Sequence, residues 1–258
     1  MKKYIYLLLT VLSLSLLVIS CTPDANEDLI DHSIDESYYQ LGQVGTYWEY
    51  QLDSLIFDNG GATQLLRTGY IRINVVDIET KSNGDIIHTM QLNRRETPDQ
   101  SWIEDRLYRV EKNIAGEIFV IIDNLVFREF SFPFNEGSTW ESILFDTDQL
   151  YEFVEGEMLE KYNRWDSSIV LNRDTTIIVG GTTYESVATI QEVDSEILTE
   201  LRQSIAYYAA GVGVIQRQRS ILDSQCINVN PDCEFDPWLE KAEKGYIVSQ
   251  SLLDYSIE

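Results

Sequence analysis

The chain is poor in the residues on which much enzyme chemistry rests. Its 258 residues include 2 histidines, 3 cysteines, 3 methionines and 5 prolines. With only His32 and His88, histidine-assisted serine or cysteine catalysis would have to run through His88, the one histidine beyond the first forty residues. No Gly-x-Ser-x-Gly occurs to expose a nucleophilic serine on a sharp turn. Zinc is disfavoured, because two cysteines and two scattered histidines do not make a ligand set. Basic residues are also scarce: Lys+Arg 19 stand against Asp+Glu 43, a net charge of −24. Such a surface repels phosphate backbones and anionic headgroups, so nucleic acid is excluded as a partner. No glycine-rich phosphate loop follows a strand; Gly211-Val212-Gly213 has neither the spacing nor a helix after it, so no nucleotide cofactor is implied. Those glycines read instead as a close backbone approach or a bulge where a strand begins.

What is present begins with a leader. Lys2 and Lys3 precede an apolar run from Tyr4 to Ile19, and Ser20 stands before Cys21. A basic start, a short apolar stretch and a small residue before the cut read as a signal peptide over residues 1–20. The run is shorter than the roughly 20 residues needed to span a bilayer. Cysteine at this place resembles the lipobox of bacterial lipoproteins. That resemblance implies a product beginning at Cys21 and held by lipid on its sulfur and amino group. Two or more acyl chains anchor firmly where one binds marginally. Thr22 is not the aspartate that retains enteric lipoproteins at the inner membrane, so the implied destination is the outer membrane. Residues 21–37 form an acidic tether with Asp24, Glu27, Asp28, Asp31, Asp35 and Glu36, low in aromatics. It reads as a solvated linker or as a surface-export signal, so the domain could face the periplasm or the exterior.

Residues 38–258 are long enough for one domain with its own core. Tyr 15, Phe 9 and Trp 5 supply bulky sheet residues. With Cys21 lipidated, Cys226 and Cys233 remain as an even pair in an exported protein. They read as a disulfide pinning the polar loop between them.

Strands separated by turns dominate the pattern. Trp48, Tyr50 and Leu52 alternate with polar residues in Tyr47–Leu52. Asp58-Asn59-Gly60-Gly61 and Ser82-Asn83-Gly84-Asp85 are turn signals. Between them, Ile71, Ile73 and Val75 share a face while Val76 and Ile78 fall out of phase, which a bulge near Val75 explains. Further strands are expected over 86–93, 102–111, 117–122, 125–132, 151–154, 168–171, 175–179, 184–191, 213–222 and 245–257. One segment departs from the pattern. Ile197, Leu198, Leu201 and Ile205 recur at helical spacing behind Asp194, predicting a short helix over Ser195–Ser204. Trp238–Ala242 could add one more turn of helix. The expected class is mainly β, a strongly curved antiparallel sheet or half-barrel with one short helix. Gly45-Thr46-Tyr47-Trp48 echoes as Gly137-Ser138-Thr139-Trp140, either a repeated β unit or a coincidence in an aromatic-rich chain.

Leu41–Tyr50, with its Gly-x-x-Trp-x-Tyr, resembles the opening of a group of uncharacterised bacterial outer-membrane lipoproteins. Tyr207-Tyr208-Ala209-Ala210-Gly211-Val212-Gly213 resembles a stretch near their end, as in TapB-like proteins. The resemblance implies a β-rich exported domain, with a curved sheet like that of the LolA and LolB lipoprotein carriers, and no catalytic residues. By that reading Asn228–Trp238 is an insertion.

Other candidates have bland readings beside sharper ones. His88 shares a face with Ile86, Met90 and Leu92, as a core histidine does. Glu49, Asp53, Asp77 and Glu79 read as the solvent face of strands, although a glycan hydrolase needs only two facing carboxylates. Asn228, Asn230, Asp232 and Asp236 read as turn formers before calcium ligands. Arg94, Arg95, Arg217 and Arg219 are expected to pair with neighbouring carboxylates. The functional expectation is a non-enzymatic binding or assembly component of the envelope, whose partner is an envelope protein, a glycan or an apolar ligand. The alternatives are a carrier holding an acyl chain or other apolar ligand, and a carboxylate-based glycan hydrolase.

Overall fold

The computed structural model describes residues 37–58, 60–145, 150–228 and 230–257. The leader, Cys21, His32 and the tether through Glu36 lie outside those residues. From Trp48 the alternation of aromatic and polar side chains extends into a twelve-residue strand, β1 (Tyr47–Asp58). β2 (Thr63–Thr80) returns beside it, and its register with the next strand slips between Val75 and Asp77, at the expected bulge. β3 (Ile86–Arg95), β4 (Ile103–Lys112), β5 (Ile118–Ile122) and β6 (Leu125–Phe130) follow as a meander. Asp123 and Asn124 both take positive φ in the two-residue turn between β5 and β6, the geometry that matches strand twist.

A second meander uses β7 (Thr139–Glu141), β10 (Ser167–Val179), β11 (Thr182–Glu196), β12 (Glu200–Ala209), β13 (Gly213–Asp223) and β14 (Lys244–Ser256). Between β7 and β10 the chain leaves the sheet to form a small hairpin, β8 (Glu152–Val154) with β9 (Glu157–Leu159). The two meanders join through β1 and β14 into one twelve-stranded antiparallel sheet. Its outer edges also meet. Arg128 N–H donates to the Ser142 carbonyl (2.9 Å), Leu144 N–H to the Val126 carbonyl (3.0 Å), and Phe127 bridges Ile143. The sheet is therefore a nearly closed barrel, which leaves little unpaired edge.

The echo between the two Gly-x-x-Trp segments is structural. Thr46 N–H donates to the Gln43 carbonyl and Ser138 N–H to the Asn135 carbonyl. The Thr46 and Ser138 hydroxyls accept from the amides of Gln43 and Asn135. Gly45 N–H reaches the Val75 carbonyl while Val75 N–H reaches Thr46; Gly137, Val170 and Ser138 repeat both bonds. Trp48 pairs with Ile73, and Trp140 with Ser168, at the same step of the ladder. Each following strand bulges after its buried valine, at Val75/Asp77 and Val170/Asn172. The coincidence reading fails. The barrel is two copies of one six-stranded unit.

Two sequence expectations need correction. Residues 195–204 are not helical. β11 runs to Glu196, a tight turn follows in which Ile197 N–H donates to the Glu200 carbonyl, and β12 begins at Glu200. Ladders to β11 and β13 on both sides outweigh a helical spacing of four apolar residues. In the strand, Arg202, Ser204, Ala206 and Tyr208 are buried, whereas Leu198 is exposed in the turn. The one α-helix among the described residues, α1 (Trp238–Lys241), is the turn expected after Asp236. Glu49, expected on a solvent face, is buried: Arg72 and Arg95 both pair with it, and Trp102 lies under both guanidinium groups.

Candidate functional site

The barrel interior holds a cavity of about 260 Å³. All the long strands contribute to its wall, as does the segment before β1 through Tyr39, Gln40 and Leu41. Tyr162 and Trp165, on the excursion between β9 and β10, contribute as well. Alternation places these side chains inward. In β13, Ile215, Arg217, Arg219 and Ile221 share one face by period two, and in β12 so do Ser204, Ala206 and Tyr208.

The first meander gives this interior an apolar wall, with Trp48, Ile73, Met90, Val110 and Val120. The second, together with Glu129 of β6, gives it charge. Arg217 Nη2 lies 2.5 Å from Glu129 Oε1 and 2.8 Å from Glu192 Oε1. The Tyr208 hydroxyl donates to Glu129 (2.8 Å) and accepts from Arg217 (3.0 Å). Arg219 donates to Glu192 Oε2 (3.0 Å) and to the Ser204 hydroxyl (3.2 Å), and Ser204 in turn donates to Glu192. The Arg219 guanidinium rests 5.1 Å from the Trp165 ring, held from the side by a cation–π contact.

Burial alone would raise the Glu192 carboxyl. The guanidinium groups of Arg217 and Arg219 outweigh it, with help from Ser204, and hold the group below the usual carboxylate range. Arg217 is held well above its ordinary value, because Glu192, Tyr208 and Glu129 outweigh its desolvation. Glu192 and Arg217 are thus held as an ion pair. Around it, burial raises the phenols of Tyr39, Tyr50, Tyr108 and Tyr208, which stay protonated; Tyr50 donates to the Val214 carbonyl and Tyr208 to Glu129.

Among the residues that line the cavity, three fully buried polar atoms have no hydrogen-bond partner: Arg217 Nε, Arg128 Nε and Ser142 Oγ. Arg128 Nε faces Glu117 Oε1 at 3.6 Å, an ion-pair distance too long for a hydrogen bond.

The other sequence candidates lie apart from this cavity or only border it. Cys226 and Cys233 form a disulfide in the connection between β13 and β14. Asn230 caps a short 3₁₀ turn there, accepting from Asp232 N–H, so its side chain serves the turn. His88 is buried beside Met90 on β3; desolvation lowers its pKa, partly offset by the Gly42 backbone. Asp77 and Glu79 are exposed, as is Asp53, which accepts from Thr68 and Gln51. Arg95, Arg217 and Arg219 pair with carboxylates as expected; Arg94 is exposed.

Glu129, Glu192 and Tyr208 were not singled out in the sequence as site residues. The signal that could have found the cluster lies in Ile215-Gln216-Arg217-Gln218-Arg219-Ser220-Ile221. Period two sets both arginines on the face of the two isoleucines, where a charge needs a buried partner.

No protein-family model matches the chain, and no curated protein matches it. Among solved structures, a Parabacteroides distasonis chain described as a lipoprotein is 11% identical with a TM-score of 0.40, over 85% of this chain and 98% of that one. A Bacteroides fragilis chain described as an exported protein with a YmcC-like fold is 8% identical with a TM-score of 0.41, over 84% of this chain and 98% of that one.

Proposed function

We propose that this chain is an outer-membrane lipoprotein, anchored through Cys21, whose barrel interior binds a compact and mostly apolar ligand without reacting with it. The observation that carries the reading is the cavity itself. A filled core would have closed it, since protein interiors pack to crystal density. Its volume of about 260 Å³ lies near the lower end of the roughly 300–1,000 Å³ typical of ligand pockets. It exceeds the roughly 150 Å³ that accommodates benzene in an engineered apolar cavity. That size favours a compact ligand over a long acyl chain. The anchor rests on the leader and on the position of Cys21.

The hydrolase alternative fares worse. Glu129 and Glu192 do face each other across one guanidinium nitrogen. A glycosidase, however, needs one carboxylic acid kept protonated to give its proton to the leaving oxygen. Here Glu192 is held ionised, and Arg217 occupies the space between the pair. The donors and charges serve recognition better than proton transfer.

The test is to purify the full chain in an amphiphilic polymer free of alkyl detergent and identify small molecules released on denaturation. A parallel preparation of Val110→Phe, which fills the cavity from β4, is the control. A molecule near one equivalent in the wild type and absent from the variant supports the reading. The same complement of small molecules in both preparations overturns it. For the anchor, Cys21→Ala should abolish metabolic labelling by acyl chains, and persistent labelling would remove that part.

A further inference from the structure

The polar groups that line the cavity divide into those fully paired and those with a bond to spare. Both oxygens of Glu192 are taken, Oε1 by Arg217 and Oε2 by Arg219 and Ser204. Glu129 differs. Its Oε1 accepts from Tyr208 and Arg217, while its Oε2 bonds no described residue. The hydroxyls of Tyr39 and Tyr108 likewise bond no described residue. None of these three oxygens is among the fully buried atoms that lack a partner, so each keeps accessible surface. That surface opens on the cavity. All three residues line it, Tyr108 stands across the ladder from inward-facing Met90, and the Tyr39 ring packs inside the barrel on Phe130 and Tyr208. The three groups are also near one another: burial and then the charge of Glu129 push up both phenols, and Tyr108 raises Tyr39 further. A carboxylate oxygen only accepts, whereas a protonated phenol donates as well as accepts. A hydroxyl answers both.

From this we infer that the ligand is an apolar molecule bearing a neutral hydroxyl, which donates to Glu129 Oε2 and accepts from Tyr39 or Tyr108. Its body lies among Trp48, Met90 and Val110, on the apolar wall. The inference rests on the binding reading above and adds the chemistry of the polar group. Other groups fit less well. A ligand carboxylate would face the Glu129 carboxylate. An ammonium would lie beside the Arg217 guanidinium, 2.5 Å from the same carboxyl group, after giving up its own hydration. An ether accepts from a phenol but offers Glu129 no proton.

Three aromatic probes of like size test the assignment: 4-propylphenol, 4-propylanisole and 4-propylbenzylamine, with propylbenzene as the measure of apolar binding alone. Each is titrated calorimetrically into the full chain in the amphiphilic polymer, and the heat with Val110→Phe, whose cavity is filled, is subtracted. The phenol is expected to bind about tenfold more tightly than the anisole and the amine. The double variant Tyr39→Phe, Tyr108→Phe removes two hydroxyls that hold no other described residue, so the barrel keeps its bonds. It should weaken the phenol about fivefold and leave propylbenzene unchanged. Equal binding of phenol and anisole, tighter binding of the amine, or full phenol affinity in the double variant overturns the hydroxyl assignment while the cavity still binds. If neither the probes nor propylbenzene tell the wild type from Val110→Phe, the binding reading fails along with it.

Discussion

At the same step of each meander the second strand bulges after a buried valine, Val75 in one and Val170 in the other. Across the ladder Val75 faces Met90 and Val170 faces Ile190, and both partners line the cavity. Two residues further along, the copies part: the first has Leu92 and the second Glu192. The first meander keeps its inner face mostly apolar from Trp48 to Val120, with His88 buried beside Met90, and brings an inward carboxylate to the cavity at Glu129. The second carries Glu192, Ser204, Arg217 and Arg219 inward. One backbone plan therefore supports two chemistries, because backbone hydrogen bonds and the buried Gly-x-x-Trp corner fix the strands whatever faces inward. What the second copy needs in return is complete pairing, since a buried charge is tolerated only when its lone pairs and protons are met. The cavity lies between a wall that excludes water and a wall that can recognise a polar group.

The largest effects should come from the charged wall. Arg217→Met removes the guanidinium shared by buried Glu192 and half-buried Glu129 and leaves both carboxylates short of a partner. A loss of about 3–5 kcal/mol in urea unfolding is expected. Met90→Ala on the apolar wall removes contacts beside a space that already exists, so about 2 kcal/mol is expected, the low end of such truncations. Equal losses would mean that the two walls do not differ as described. Acid reaches the same cluster. The folded pKa of Glu192 lies below that of an unfolded glutamate, about 4.3. Its contribution is therefore complete above that pH and fades as pH falls through the depressed folded value. A Glu192→Gln variant should lose less stability than the wild type between pH 5 and pH 3 by a fraction of the Arg217 effect; parallel losses would deny Glu192 this role.

Much of the barrel was legible in the chain, and the reasons are local. Alternation in Tyr47–Leu52, the phase slip at Val75 and the turns at Gly60 and Gly84 all express period two and turn chemistry. The helix expected over 195–204 failed because four apolar residues at helical spacing also fit a hairpin whose inner face includes Arg202. That arginine is fully buried, with bonds to the carbonyls of Glu160, Leu201 and Leu222, and nothing near it in sequence announces those acceptors. The charge cluster was half legible. Arg217 and Arg219 stood out on an acidic chain, but their partners sit 88 and 27 residues away. The cavity was not legible at all, because counting apolar residues does not distinguish a filled interior from a hollow one.

The copies also differ at their last turn. Asp123 and Asn124 alone connect β5 to β6, whereas residues 224–243 connect β13 to β14 and carry the disulfide. The repeat itself thus marks residues 224–243 as an insertion. Its links to the barrel run through Glu243, whose amide donates to the Asp223 carbonyl, and through Trp238, whose indole donates to Glu196. Closing so short a ring should contribute roughly 2–3 kcal/mol on the chain-entropy estimate. Reduction of Cys226–Cys233 should lower the unfolding free energy by that much while the barrel stays folded, as read by near-ultraviolet dichroism. Free thiols in protein taken directly from the envelope would refute the disulfide.

The smallest expected effect tests the duplication most directly. Gly45 has φ of 105° and Gly137 of 82°, values that a residue with a Cβ adopts only under strain. Each glycine donates its amide to the buried valine of the neighbouring strand and turns the chain so that a tryptophan enters the core. Gly45→Ala and Gly137→Ala should each cost about 1–2 kcal/mol. They should add when combined, because the two corners share no hydrogen-bond partner. The Trp48 indole bonds to Val212 on the second meander, and the Trp140 indole bonds to Arg128 on the first. Each corner thus fastens its own unit to the other copy. A Gly45→Ala cost several times that of Gly137→Ala would show that only the first corner still holds the barrel together.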